Sequence, residues 1–364
     1  MPPATPAPAG YRPWLHRFAI AMVVATFALV TIGGNVTSLA AGLAVPEGWW
    51  TFDYFTPWAP LSVWWEDQGT RWEHSHRLKG YVVGLMAIGL AMWLWVTQRP
   101  RPWLRWTGLG LLGLVVVQGV MGAARVDLIS TDLAVVHGIT GQVFLALTVL
   151  VAAATSRVWI DRTRELTPAG GNVVPPAMRW LALGLLVALV VQLALGAWMR
   201  HHGAGLAIPD FPANYGAVLP PANDAALTAA IDAWAARGHG LRDHSLAQVW
   251  VHFAHRAWAL AVTGLVLALV TWLNLRAPGR PETRWPARWL VLLLGVQLAL
   301  GASVIWTGRY PAVATLHQAT GAAVLAVAVW LTIRLHLLVW WGSGRATRDR
   351  QGAQTRSGAD VVGA

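Results

Sequence analysis

Eight apolar blocks of about twenty residues run along this chain, near residues 18–40, 77–97, 104–124, 133–155, 178–200, 251–273, 287–307 and 313–335. That is the length a helix needs to cross a hydrocarbon core of roughly 30 Å. None carries a charge in its middle, and tryptophans such as Trp49, Trp50, Trp64, Trp65, Trp103 and Trp106 flank their ends as an aromatic belt would. The fold this predicts is an all-α integral membrane protein. Charged residues make up only 12% of the chain, where soluble domains carry about 25%. This excludes a soluble enzyme, a disordered protein and a nucleic-acid binder, despite a net charge of +11. Cysteine is absent, so no disulfide, thiolate ligand or thiol nucleophile can take part.

The arginines set the expected topology. Arg12, Arg17, Arg99, Arg101, Arg105, Arg157, Arg162, Arg164, Arg179, Arg276, Arg280, Arg284, Arg288, Arg345 and Arg348 all fall on one side of the alternation. The segments on the other side hold Glu47, Asp53, Glu66, Asp67, Glu73, Asp210, Asp224, Asp232 and Asp243. By the positive-inside rule both termini are cytoplasmic in a multi-pass protein of the cell membrane. Ser38-Leu39-Ala40 resembles a signal-peptide cleavage site, but the apolar run before it is long for that role. The expected organisation is a cytoplasmic arm over 1–17, a four-helix half over 18–156 and a cytoplasmic linker over 157–177. A second four-helix half over 178–341 follows, with a long outer loop at 201–250, and then a disordered tail over 342–364.

The division into halves rests on an internal repeat. His76-Arg77 opens the second block and His255-Arg256 the sixth. Gln118 lies 42 residues after His76, and Gln297 lies 42 after His255. His137 and His317 then follow at 19 and 20 residues. Gly42-Leu-Ala-Val-Pro46 matches Gly205-Leu-Ala-Ile-Pro209, and Gln192-Leu-Ala-Leu-Gly-Ala197 recurs letter for letter as Gln297-Leu-Ala-Leu-Gly-Ala302. An even helix count gives both halves the same orientation, and a parallel repeat places a site in each half or at the seam.

Of the 12 histidines, His16 and His336 flank the cytoplasmic side. His76, His137, His255 and His317 hold repeat-matched positions at or just inside the outer ends of even-numbered blocks. Two inward imidazoles from facing helices of a four-helix bundle can hold a haem iron between them. Zinc or copper remains open, although no three or four ligands cluster in sequence. Gly80, Gly84, Gly122, Gly138, Gly141, Gly264, Gly301 and Gly321 fit either a flat macrocycle lying against backbone or close helix packing. Arg77, Lys79 and Arg256 fit haem propionates or lipid head groups. The halves differ three residues before the first histidine, where Glu73 stands in one and His252 in the other. At that spacing Glu73 shares a helix face with His76. It is a candidate proton acceptor or electrostatic stabiliser, or else a helix cap. The loops 42–75 and 201–250, the latter with Leu227, Ile231 and Trp234 on one helical face, are candidate lids or interfacial anchors.

These residues together resemble the heme A synthases. The resemblance covers the transmembrane region and rests on Glu73-His-Ser-His76-Arg77, His137, His255-Arg256 and His317-Gln318. It implies oxidation of a ring methyl of haem O to the formyl of haem A, for a terminal oxidase. It further implies a haem b in the C-terminal half on His255 and His317. The substrate haem O, and the product haem A, would then lie in the N-terminal half on His76 and His137, with Glu73 assisting. Haem O synthase and terminal-oxidase assembly factors are the partners such a role implies, alongside membrane lipid, and a homo-oligomer is compatible with it. Many members carry a cysteine pair in the first outer loop, which this chain lacks. The rival readings are a bis-histidine membrane cytochrome b serving quinone and a transporter.

Overall fold

The computed structural model describes residues 10–164, 175, 177–237, 243–276 and 281–361. The first nine residues of the expected arm, most of the 157–177 linker, residues 238–242 of the outer loop and residues 277–280 with Arg280 lie outside the described residues.

Eight helices are long and apolar enough to cross a membrane: Pro13–Ser38, Gln68–Thr97, Pro102–Asp127, Thr131–Thr155, Ala177–His201, Leu246–Arg276, Thr283–Trp306 and Pro311–His336, here spans 1 to 8. Local signals set several of their starts. Pro13 and Pro102 stand in the first turns of spans 1 and 3, where a missing N–H costs no hydrogen bond. Asp67 caps span 2 by accepting from the Thr70 N–H at 2.7 Å, which holds its carboxyl below the usual carboxylate range. Ser130 caps span 4 through the Leu133 N–H at 3.2 Å. Arg101, in the tight turn between spans 2 and 3, closes the other end of span 4 by donating to the Ala154 carbonyl at 2.6 Å. Burial draws its pKa down to about 10, which still leaves it charged.

Two expectations are corrected. Spans 2 and 6 begin at Gln68 and Leu246, well before 77 and 251, because the helix continues past the apolar block to its cap. His76 and His255 therefore lie about two turns inside their helices. The last helix also runs on unbroken to Val361, where a disordered tail was expected from 342. No proline follows Pro311 in the sequence, so nothing in the backbone forces that helix to stop.

Packing closes two rings. Spans 1, 2, 3 and 4 contact one another in sequence, and span 4 returns to span 1; spans 5, 6, 7 and 8 do the same, and span 8 returns to span 5. Span 1 against span 8, span 4 against span 8 and span 4 against span 5 form the seam. Accordingly the apolar windows of spans 4 and 8 are 44% and 39% buried, against 17–28% for the others. Each ring has its own apolar core. Leu15, Met22, Leu90, Leu94, Leu104 and Leu111 fill the first, and Met178, Leu185, Leu269, Leu290, Leu325 and Leu335 the second. These cores sit toward the short-loop end, which leaves the long-loop end for other chemistry.

At that end the long loops fold onto the protein. Trp50–Thr51 pairs antiparallel with Tyr54–Phe55 across Phe52 and Asp53, both at positive φ, as a two-residue hairpin turn demands. In the second loop the helix Asp224–Ala235 buries Leu227, with Ile231 partly buried, beside Ile208 and Val249. Trp234 meets the Tyr215 ring at 6.5 Å. The expected apolar face of that helix thus packs on the protein's own loop. Tyr215 donates to the Ala207 carbonyl at 2.7 Å, and burial pushes its hydroxyl up to about 12.

Candidate haem-binding site

The four repeat-matched histidines share one local arrangement. Each lies against a glycine of the preceding odd-numbered span. A Cβ added at Gly33 would stand 2.8 Å from His76 Cε1, at Gly122 3.4 Å from His137 Cε1, at Gly196 3.0 Å from His255 Cε1 and at Gly301 3.1 Å from His317 Cε1. A larger residue there would push the imidazole away, so glycine fixes how deeply each ring settles against its neighbouring helix. Gly122 and Gly301 were visible candidates, but Gly33 and Gly196 were not. The signal was present, since the hexapeptide repeated letter for letter contains both Gly196 and Gly301, four residues after Gln192 and Gln297. The other singled-out glycines divide. A Cβ at Gly80, Gly84, Gly138 or Gly264 meets nothing within 4 Å, so close helix packing does not explain those four. Gly141 and Gly321 face the glutamines Gln118 and Gln297.

In the second half the rings of His255 and His317 face each other, with centroids 6.5 Å apart and planes at 74°. Two imidazoles bound through nitrogen to one metal at about 2.0–2.1 Å each have ring centres about 6–6.5 Å apart, so the spacing fits a shared iron. Gln192 Nε2 lies 3.1 Å from His255 Nδ1 and 3.2 Å from its Nε2. His317 Nδ1 lies 3.2 Å from the Gln297 carbonyl, to which it donates in the tautomer that leaves Nε2, 3.5 Å from Gln297 Nε2, as the acceptor nitrogen able to bind a metal. In the first half His76 Nδ1 and His137 Nδ1 are buried, near the backbone carbonyls of Leu29 and Gln118 but without a hydrogen bond of standard geometry. Gln118 there bonds to Thr140 instead. Among the described residues no group of three or more His, Asp or Glu could hold a metal ion. Paired imidazoles over glycine seats therefore fit a macrocycle that supplies its own equatorial ligands, and no zinc- or copper-type cluster accompanies them.

Glu73 and His252 occupy equivalent places in two matched clamps. Glu73 is 3% exposed; it accepts from the Val45 N–H at 2.9 Å and from Arg77 at 2.8 Å. Arg77 also donates to the carbonyls of Val45 at 3.1 Å, Glu47 at 2.6 Å and Trp50 at 2.8 Å. In the other half the Ile208 N–H lies 3.2 Å from His252 Nδ1, and Arg256 Nε lies 3.2 Å from His252 Nε2. Arg256 further donates to the carbonyls of Asp210 at 2.8 Å and Ala213 at 3.0 Å. Val45 and Ile208 are the fourth residues of the two matched pentapeptides. The sequence could not show that Arg77 and Arg256 would spend their donors on loop carbonyls about thirty to fifty positions away, instead of on a ligand's carboxylates.

Other histidines are structural. His74 is buried, contacts Thr51 Oγ1 at 3.1 Å and stacks on Trp64 at 4.2 Å. His202 stacks on Trp198 at 4.3 Å and meets Asp132 across the seam at 3.4 Å.

A family model described as COX15-CtaA, cytochrome oxidase assembly protein, matches residues 16–329. The chain is 30% identical over 269 residues to the Heme A synthase of Sphingopyxis alaskensis, covering 70% of this chain and 67% of that protein. It is 31% identical over 270 residues to the Heme A synthase of Beijerinckia indica, covering 71% and 68%. Against the Heme A synthase of Methylobacterium radiotolerans the identity is 29% over 348 residues, covering 87% of this chain and 88% of that protein.

Proposed function

Because this chain belongs to the COX15-CtaA family of cytochrome oxidase assembly proteins, we propose that it is a heme A synthase, an oxidoreductase that converts a ring methyl of haem O to the formyl of haem A. The observation that carries this reading is the pair of opposed imidazoles, His255 and His317, at 6.5 Å. It is supported by a second histidine pair, His76 and His137, in the same setting against glycine.

His255 and His317 hold a haem b in this reading, and His76 and His137 hold the substrate haem O. Haem b bound there supplies a one-electron relay for oxidation in the other half. The remaining work belongs to this chain's own residues. The glycine seats orient the imidazoles. Glu73, one helical turn before His76, stands beside the substrate as a fixed negative charge, since both its oxygens already accept hydrogen bonds. Through Arg77 it also clamps the first outer loop down over the site, which keeps water away from a reaction that a dry cavity favours.

The site lies toward the outer face of the cytoplasmic membrane in this proposal, with both termini inside, on the positive-inside argument. A cytochrome b that moves electrons across the bilayer needs haems near both faces, whereas all four histidines adjoin the same long-loop end. A reporter fused within residues 219–222 should signal from outside the cytoplasm; a cytoplasmic signal refutes the orientation. Co-expression with a haem O source should yield haem A in the extracted pigments, and haem O alone in repeated aerobic preparations would refute the activity.

A further inference from the structure

Small residues usually let two membrane helices close up, yet beside His76 they do not. Glu73, Gly80, Ala87 and Leu94 follow one another at seven-residue intervals on span 2, and Glu73, Ala87 and Leu94 are buried. Gly80 therefore sits on the inward face, one turn after His76. A Cβ there, or at Gly84 on the next turn, still meets no atom within 4 Å. Further along, spans 2 and 3 do touch, since a Cβ at Gly108 would stand 3.4 Å from Ala91 Cα. Gly80 lies eleven residues before Ala91 and Gly119 eleven residues after Gly108, three turns away on the same two faces. A Cβ at Gly119 meets only the Trp49 ring, at 3.8 Å. Spans 2 and 3 thus part from Ala91 towards the histidine end and leave a gap between Gly80, Gly84 and Gly119, under Trp49.

The second half has side chains at the same places. Laying His76 on His255 and Gln118 on Gln297 pairs Gly80 with Ala259, Gly84 with Thr263 and Gly119 with Leu298. The stripe itself is preserved, for His252, Ala259, Val266 and Leu273 repeat the seven-residue interval with His252, Val266 and Leu273 buried. The halves therefore differ here in volume and not in orientation. The gap of the first half is apolar and adjoins His76, whose Nδ1 is buried without a hydrogen bond of standard geometry. It opens towards the bilayer beside Gly119 and Ile88, both exposed. An apolar slot leading from a candidate ligand imidazole to lipid suits a ring that carries a long hydrocarbon substituent.

We propose that the gap between spans 2 and 3 receives the isoprenoid chain of haem O, and that Ala259, Thr263 and Leu298 keep that chain out of the second half. Haem O bears this chain, on a hydroxyethyl carbon, where haem b has a vinyl group. The chain is already at home in lipid, so the gap attracts it little. Selectivity comes from the clash that the chain meets in the other half. A porphyrin without the chain fits either histidine pair. The proposal rests on reading the histidine pairs as haem sites, and it adds which residues sort the two porphyrins between them.

The test separates the two ideas. Full-length protein made in cells unable to synthesise haem is titrated in detergent with iron protoporphyrin IX and with haem O, following the bis-imidazole optical band. A His255→Ala background isolates the first site, and a His76→Ala background the second. The first site should bind both porphyrins, and the second should favour iron protoporphyrin IX by roughly tenfold to hundredfold. Gly80→Ala, Gly84→Thr and Gly119→Leu together should impose a like preference on the first site while iron protoporphyrin IX still binds. Gly80→Ala alone, which suits a helix better than glycine does, should impose part of it and decides the matter if the triple variant binds no porphyrin. Haem O held as tightly by the triple variant as by the unsubstituted first site, the outcome if lipid alone fills the gap, overturns the assignment and leaves the haem reading intact. A second site that takes both porphyrins equally, or loss of both from the first site in Gly80→Ala, overturns it as well. Failure of both porphyrins to bind in either background removes the haem reading and the role of the gap together.

Discussion

The two halves seat their histidines alike and then treat them differently. In the second half Gln192 and the Gln297 carbonyl meet the imidazoles of His255 and His317. In the first half Leu29 stands four residues before Gly33, where Gln192 stands before Gly196, so no glutamine meets His76, and the backbone carbonyls of Leu29 and Gln118 are the groups near His76 and His137. Ligands held by outer hydrogen bonds suit a resident cofactor, because they fix tautomer and ring orientation before the metal arrives. Ligands without a side-chain partner of that kind suit a molecule that must enter and leave. The clamps differ in the opposite sense. A carboxylate at 73 satisfies both the Val45 N–H and Arg77. A neutral imidazole at 252 has one acceptor nitrogen and cannot accept from both Ile208 and Arg256. The first half thus has the firmer lid and the looser ligands.

This contrast can be broken in several places. The largest effect is expected at the resident site, where His255→Ala or His317→Ala should abolish haem b in purified, membrane-inserted protein. Full retention of haem b in both variants would show that the pair has been misassigned. Next, Glu73→Gln keeps the hydrogen-bonding reach but loses the charge. It should leave porphyrin bound yet slow haem A formation by about a hundredfold or more, with partly oxidised pigment at the alcohol level accumulating in extracts. His252→Gln should be far milder, and equal defects in the two would mean that the halves do not differ as described.

Smaller effects probe the seats and the seam. Gly196→Ala presses a methyl within 3.0 Å of His255 Cε1. It should cost about 1–3 kcal/mol of binding through overpacking, read as lowered haem b occupancy with a shifted optical band. Gly264→Ala, which meets open space, should change neither. His252→Glu should raise the melting temperature by giving Arg256 and Ile208 an acceptor each; a lower one would show that the imidazole is preferred there. Asp132→Asn should have the least effect, because the pair with His202 is an exposed contact of a kind that contributes little. A large loss of stability there would mean that this contact, and not helix packing, holds the seam.

Much of this was legible in the sequence because it is written in short periods. Eight apolar blocks, their flanking tryptophans and the spacing of His76, His137, His255 and His317 are read along the chain, and the structure brings the rings of His255 and His317 to 6.5 Å of each other. What stayed hidden depends on distant partners. Gly33 and Gly196 look like any glycine of an apolar helix until the imidazole from the next helix is placed against them. Arg77 sits next to a candidate ligand histidine, so a ligand role was the natural expectation, yet beside Glu73 its partners are backbone carbonyls at Val45, Glu47 and Trp50 that no helical period connects to it.

The central claim is that the two histidine pairs hold different porphyrins, one resident and one transient. The most direct measurement is pigment analysis of protein co-expressed with a haem O source, comparing His255→Ala with His76→Ala. The account predicts that His255→Ala loses haem b and keeps haem O, while His76→Ala keeps haem b and loses haem O and haem A. Loss of the same pigment in both variants would contradict it.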